Sequence, residues 1–207
     1  SLDSGAKTAY LNYDGRSLIA QTASMNIPYG INKFDKNGPV KYSVDLSFRG
    51  AEDGSNKKMK AFYDMISALD EYMIDQGVKN SQTWFREKLG REVVKRFYTP
   101  MVRISKDANG NPKPYPPTFK VSLKQRRGSE AFEVQVYDEN KQPYLDGEGN
   151  PAPVSNVLVK GAQVTCLIQC TGVWFAGTSK YGLSWKVVQI RTDSIPESMN
   201  GCGFADE

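Results

Sequence analysis

The 207-residue chain contains no histidine, which removes the commonest general base and the commonest transition-metal ligand. It has three cysteines, Cys166, Cys170 and Cys202. So small and odd a number makes no disulfide framework and suits a reducing compartment. A zinc site, a Ser-His triad or a Cys-His pair therefore lacks its parts, and an enzyme would have to rely on carboxylates, Lys or Tyr. The carboxylates are scattered through turns and along a helix surface, so no catalytic residue, metal or cofactor is expected. Apolar runs are short as well. None approaches the roughly 18 residues of a membrane span, and SLDSGAKTAY at the start has neither an apolar h-region nor an Arg-rich amphipathic pattern. Neither a membrane partner nor a targeting signal is expected, and Ser1 in place of Met suggests a trimmed or engineered terminus.

What the chain does have is polarised charge. Residues 84–127 carry twelve Lys or Arg against Glu87, Glu92 and Asp107, a local net charge of +9, whereas residues 1–83 sum to zero and residues 128–207 to -5. Trp84, Phe85, Phe97, Tyr98, Tyr115 and Phe119 interleave with those bases. Cations beside flat π faces are what a protein needs to hold phosphates and unstacked bases; a solvated basic face with core aromatics has the same composition.

Period-two alternation marks the strands. Tyr42, Val44, Leu46 and Phe48 alternate with polar neighbours, as do Phe119, Val121 and Leu123, then Phe132, Val134 and Val136. The last two segments are expected to pair antiparallel across Gln125-Arg126-Arg127-Gly128, whose glycine supplies positive φ. Ala162, Val164, Cys166, Ile168 and Cys170 predict another strand, paired with Leu183–Arg191 around the glycine-rich GVWFAGTSKYG, which suggests a long protruding tip. Cys166 and Cys170 then face one side about 13 Å apart at about 3.3 Å per residue, too far for a bridge. Residues 10–24 read as an early strand, ENKQPYLDGEGNPAP as exposed turns, and Asn111–Pro117 as a rigid loop presenting Lys113 and Tyr115. No internal repeat is visible.

One segment breaks the β pattern. Met59, Phe62, Met65, Ile66, Leu69, Tyr72 and Met73 recur at spacings of three and four, an amphipathic helix over about 56–76 with Ser55 as N-cap and Gly77 as its stop. A short helix capped by Ser81 is expected over 81–92. Strands, helices, then strands with Pro- and Gly-rich turns predict a mainly β, α+β fold: one domain over 1–207, an antiparallel β-barrel with helical insertions and flexible termini, which closes otherwise unpaired edges.

Strand parity sorts the basic segment. Lys120 and Lys124 lie on the wet face opposite Phe119, Val121 and Leu123, Arg126 and Arg127 extend the row, and Lys95, Arg96, Arg103 and Lys113 join from neighbouring segments. Such a row tracks a phosphodiester backbone without reading base edges. Phe119, Phe132 and Trp185 are assigned to the core. Tyr98, Tyr115, Trp174, Phe175 and Tyr181 are the candidate stacking platforms, with Lys180 and Lys186 beside the last three.

GVWFAGTSKYGLSWKVVQIRTD at 172–193, together with YSVDLSF at 42–48, NSQTWF at 80–85 and YPPTFKVSL at 115–123, resembles the single-stranded DNA-binding proteins of nucleocytoplasmic large DNA viruses, which are related to the phage type, and most of all the African swine fever virus member. The resemblance implies an OB-fold barrel with helical insertions. It also implies non-specific binding of single-stranded DNA, with RNA as an alternative ligand, in viral replication, recombination or repair, and no small-molecule substrate. Viral replication proteins are the implied partners, in replication factories of the host cytoplasm, with host nucleus or virion as alternatives. Phage-type relatives end in a strongly acidic tail with a terminal aromatic, whereas Gly203–Glu207 holds two acids; either such a tail has been removed or this member lacks it, and both alternatives stay open for recruitment of a polymerase. Two other readings stay open: a virion or replication-complex subunit whose basic face meets an acidic protein, and a carboxylate-metal nuclease.

Overall fold

A computed structural model describes residues 9–36 and 38–196; Cys202, the C-terminal acids and the expectation of flexible termini lie outside them. β1 (Asn12–Tyr13) and β2 (Arg16–Ser17) form a separate hairpin. Its turn residues Asp14 and Gly15 both have positive φ, 50° and 73°, as a type I′ turn demands. There follow β3 (Ile19–Gln21), β4 (Met25–Asn26), β5 (Ile31–Phe34) and β6 (Lys41–Ser47), then helices α1 (Lys57–Lys79), α2 (Ser81–Phe85) and α3 (Arg91–Phe97). β7 (Val102–Arg103), β8 (Thr118–Leu123), β9 (Gln135–Tyr137), β10 (Gln163–Ala176) and β11 (Lys180–Ser194) complete the chain.

The pairings close a ring. β10 pairs with β4, β4 with β6, β6 with β8, β8 with β11, and β11 returns to β10. All are antiparallel except β8–β11, which is parallel. A five-stranded barrel whose third and fifth strands run parallel is the OB-fold, with β4, β6, β8, β10 and β11 as its strands one to five. The helices are an insertion between its second and third strands, as expected of a mainly β fold with helical insertions.

Inward residues fill the barrel. Val44, Val121, Val164, Cys166 and Ile168 are fully buried, and Leu46, Phe119, Trp185 and Val187 complete the packing. Burial pushes the Cys166 thiol up to about 12, so it behaves as a small hydrophobe. Helix α1 caps one end, where Phe62 packs 6.0 Å from Phe48 and 6.3 Å from Phe119 between ring centroids.

Several expectations need correction. The N-cap of α1 is Asn56, whose side chain accepts from Met59 N at 3.0 Å, not Ser55. The helix does not stop at Gly77 but continues to Lys79, because that glycine is where α1 touches the β10–β11 hairpin: a Cβ there would sit 2.6 Å from Val94 Cγ1 and collide with the Tyr181 ring. Met65 and Tyr72, read as part of the apolar stripe, are 45% and 46% exposed. The single helix expected over 81–92 is two, divided where Arg86 takes φ 65°. Asn80, not Ser81, precedes the first of them, and the buried Ser81 hydroxyl instead accepts from Leu89 N at 3.1 Å.

The expected hairpin between 119–123 and 132–136 survives only as a bridge from Gln125 to Phe132, with Glu133 N donating to Lys124 O. Gly128 does take φ 77° in its turn, but β9 then leaves β8 to pair in parallel with β11. β10 and β11 are longer than expected, so their tip is reduced to Gly177–Ser179. A local motif also recurs. Asp107, Asp138 and Asp146 each begin a turn in which the Asp carboxylate accepts the backbone N–H four residues on and a left-handed residue, Gly110, Lys141 or Gly149, stands three residues on. Each motif reads Asp-x-x-(Gly/Lys)-(Asn/Gln)-Pro.

Candidate nucleic-acid interface

The outer face of the barrel is set by register. Asp45 pairs with Lys120 and Ser43 with Ser122, while Val44–Val121 and Leu46–Phe119 point inward. Lys186 on β11 aligns with Ser122, which puts it laterally between Lys120 and Lys124. With strands about 4.8 Å apart and same-face residues about 6.6 Å apart, Lys186 lies roughly 8 Å from each of them at Cα. Arg103 pairs with Thr118 and adds a fourth cation at the other end of β8.

Arg103 owes its place to a buried carboxylate. Asp70 on α1 accepts from Met101 N at 2.8 Å, Val102 N at 3.2 Å and the Tyr98 hydroxyl at 2.7 Å. Burial outweighs these bonds and raises its carboxyl above the ordinary value. This clamp fastens the segment leaving α3 so that β7 can join the edge of β8.

The hairpin β10–β11 distributes its aromatics by parity. Trp174 pairs with Gly182, and its indole lies across the glycine so closely that a Cβ would come 2.8 Å from it. It is half-buried on the outer face, in line with Lys186. Phe175 and Tyr181 point the other way, into a cluster with Trp84 and Phe85.

Two candidate stacking residues are thereby corrected. Tyr98 is 5% exposed and Tyr181 fully buried; the Tyr181 hydroxyl donates to Met73 O at 3.0 Å, and burial raises both phenols above their ordinary value. Phe175 is half-buried in the same cluster. The buried rings of Tyr98 and Tyr181 hold the helices to the barrel and offer no face to a base.

The remaining candidates fall into separate places. Lys95 and Arg96 are exposed near the C-terminal end of α3, which the Tyr98–Tyr181 bridge brings to the start of β11 and Lys180. Lys113 and Tyr115, the latter 59% exposed, sit in the loop entering β8, and Arg126 and Arg127 are exposed in the turn leaving it. They flank the two ends of the strand and do not line its face.

Two residues on the face escape a sequence reading. Phe34 on β5 pairs with Lys41 on β6, and Asn32 with Ser43; the Asn32 amide donates to Asp45 at 2.8 Å, which fixes this parity as outward. Phe34 is 48% exposed. Lys41 and Lys124 line a groove of about 240 Å³ with Val40, Tyr42, Ser122 and Gln125. The assembled face thus holds Lys41, Arg103, Lys120, Lys124 and Lys186, with Phe34 at one side and Trp174 at the other. Among the described residues no group of three His, Cys, Asp or Glu is placed to hold a metal ion.

No family model matches the sequence. The chain is 25% identical over 177 residues to Uncharacterized protein L291 of Acanthamoeba polyphaga mimivirus, a match that covers 85% of this chain and 26% of that protein. It therefore spans about a quarter of the length of that relative. Among solved structures it is similar to the single-stranded DNA-binding protein from bacteriophage Enc34 in complex with ssDNA, with TM-score 0.50 and 13% identity over 94% of this chain and 99% of that one. It also matches gp2.5, a single-stranded DNA-binding protein encoded by bacteriophage T7, with TM-score 0.46 and 11% identity over 91% and 97% of the two chains. The similarity to the Enc34 protein bears on fold, and agrees with the OB barrel traced by the strand pairings.

Proposed function

We propose that this protein binds single-stranded DNA without sequence preference, along the outer face of β6, β8 and β11. The observation that carries the reading is the convergence of Lys41, Arg103, Lys120, Lys124 and Lys186 from four strands onto one face, bordered by the exposed ring of Phe34 and the indole of Trp174. Ammonium groups contact phosphate oxygens wherever the backbone runs and carry no base information. Flat rings stack on any base, so the combination favours strands whose bases are unpaired. In OB-folds generally, the face of the second and third barrel strands takes oligonucleotides; β6 and β8 are those strands here. The Enc34 protein, whose fold this chain shares, is by its name a binder of single-stranded DNA, which supports the reading.

The finer assignment extends the same proposal. The protein acts in viral DNA replication, recombination or repair within the host cytoplasm, as a relative of the large DNA virus proteins that its sequence resembles; the mimivirus relative supports a viral origin. Lys95, Arg96, Lys180, Lys113, Tyr115, Arg126 and Arg127 guide the strand on and off the central face. RNA and viral replication proteins are its further candidate partners.

Anisotropy of a labelled oligothymidine, titrated at low and then high salt with duplex as competitor, tests the reading. Tight, salt-sensitive binding of the single strand that duplex displaces poorly is expected. Equal affinity for both forms would favour a basic surface made for an acidic protein, and no binding at low salt would end the proposal.

A further inference from the structure

A second depression lies further along the same face of β11, about 210 Å³ in volume, with Gln21, Tyr137, Lys141, Thr165, Gln189 and Arg191 among its lining residues. We propose that it is a nucleotide pocket: it receives one base of a bound strand against Arg191 and Tyr137, with the adjoining phosphate on Lys141. The inference rests on the single-strand reading above and lengthens its track.

Continuity comes from a bulge. Ile168 pairs with Val187 but Leu167 with Gln189, so Val188 is an extra residue and strand parity switches there. Without it, Lys186 and Gln189 would face opposite sides of the sheet. With it, Lys186, Gln189 and Arg191 share the outer face while Val187 and Ile190 are buried. From Lys186 to Arg191 is about 17 Å at about 3.3 Å per residue, a continuous path from the cationic face into the depression.

The depression is also built in advance. The Arg191 guanidinium donates from Nε to Asp193 at 2.8 Å and from Nη2 to Thr165 Oγ1 at 3.1 Å. Asp193 is itself held by Ser24 at 2.5 Å and by Thr165 at 2.7 Å. A guanidinium fixed in plane, its charge matched by a carboxylate, presents a flat face suited to stacking rather than a free charge. Tyr137 is paired with Arg191 across β9 and β11. Gln189 donates its amide to Gln135 at 2.8 Å, which leaves the Gln189 carbonyl oxygen to accept from a base edge.

Lys141 supplies the second, independent observation. It adopts φ 63°, while the same position in the two sister turns is glycine, Gly110 at φ 85° and Gly149 at φ 82°. A lysine held in the left-handed region where glycine is at ease points to a use for its side chain. Arg191 is matched by Asp193, whereas Lys141 has no ion-pair partner among the described residues, so its ammonium is the group left for a phosphate.

Lys141→Gly is the test, because it removes the side chain while relieving the backbone. Binding is measured with oligothymidines of about 4 and about 16 nucleotides, the range of OB-fold sites. The variant is expected to be at least as heat-stable as the wild type and to bind the shorter oligonucleotide as well. It should bind the longer one about fivefold more weakly at 0.1 M salt, with a salt slope smaller by about 0.7, one phosphate contact on a single strand. A 16-mer carrying 5-iodouracil, irradiated on the wild type, should cross-link within the peptide containing Tyr137. If Lys141→Gly bound the 16-mer as the wild type does while Lys120→Ala weakened both lengths, the pocket would be refuted and the central face would stand. Cross-links confined to the peptides of Phe34 and Trp174 would refute it too. If the wild type bound neither oligonucleotide, the single-strand reading itself would fail.

Discussion

Replacing Lys120, Lys124 and Lys186 together by alanine tests the central face most directly. The three form a triangle on adjacent strands, with Lys186 beside Ser122, and in the proposed mode they would cover successive phosphates of a strand running along β8. Each phosphate contact on a single strand contributes about 0.7 to the slope of log affinity against log salt. On an oligonucleotide short enough to cover the central face alone, its five cations therefore predict a slope near -3.5 for the wild type and about -1.4 for the triple variant. At 0.1 M salt the lost contacts amount to about two decades of affinity, shrinking toward nothing near 1 M. Stability should barely move, since Lys120 and Lys124 are exposed and Lys186 is half-buried on the outer face, with no ion pair among the described residues. Anisotropy titrations at five salt concentrations, beside a thermal melt, give both numbers. A variant with weakened binding but an unchanged slope would refute the reasoning, because the loss would then not be of phosphate contacts; so would an unchanged affinity at 0.1 M.

Phe34→Ala and Trp174→Ala should each weaken binding by about 1–3 kcal/mol, the range for one stacked base, and leave the salt slope in place, which separates stacking from charge in the same titrations. Asp70→Ala should destabilise the fold by about 2–4 kcal/mol in urea melts, because the backbone donors of Met101 and Val102 and the Tyr98 hydroxyl lose their acceptor in a buried place. Since burial raises the Asp70 carboxyl, its contribution to stability is greatest below the unfolded pKa of about 3.9 and declines as pH rises through the raised value. Against Asp70→Asn, the wild type should thus lose relative stability on going from pH 3 toward neutrality. Gly77→Ala should destabilise despite a helix-propensity gain of up to about 1 kcal/mol, because overpacking against Val94 and the buried Tyr181 ring costs about 1–3 kcal/mol; a melt showing net stabilisation would contradict the close packing of α1 on the hairpin.

The barrel was legible because its strands carry strict alternation. Tyr42–Phe48 and Phe119–Leu123 are half-wet antiparallel strands, and their inward residues are those the parity names. Pairing was less legible than existence. Val134 and Val136 have the parity for either neighbour, and nothing local in them tells whether they pair with β8 or cross to β11; that is decided by where β8 ends along β11. The helix boundaries failed for tertiary reasons as well. Gly77 reads as a stop until the ring of Tyr181, more than a hundred positions away, is seen to occupy the space a side chain would fill. The threefold turn motif was within reach, since Asp-x-x-(Gly/Lys)-(Asn/Gln)-Pro is written in the chain, but lysine at the second left-handed position hides it from a search for glycines.

The candidate face divides along the same line. Lys120 and Lys124 follow from alternation within one strand. Lys41 and Phe34 belong to a different hairpin in a segment of zero net charge, so a search led by charge density passes over them. Tyr98 stands two residues before Pro100 and Tyr181 next to Gly182, but turn chemistry reports backbone shape, not exposure, and both rings are packed between hairpin and helices. The deepest obstacle is the irregular register of the long hairpin, which shifts at three places, two of which re-aim the side chains at issue. Period-two reading across Thr171 and Val188 inverts every side chain beyond each of them. The register shift near Thr171 puts Trp174 outward and Phe175 inward, and that at Val188 brings Gln189 and Arg191 onto the face of Lys186. An unbroken β11 would have carried Arg191 into the barrel interior and turned Ile190 to solvent. The extra residue Val188 thus keeps one face of β11 polar from Lys186 to Arg191, and the one at Thr171 turns Trp174 of β10 toward that face, so the proposed central face and the Arg191 depression are continuous.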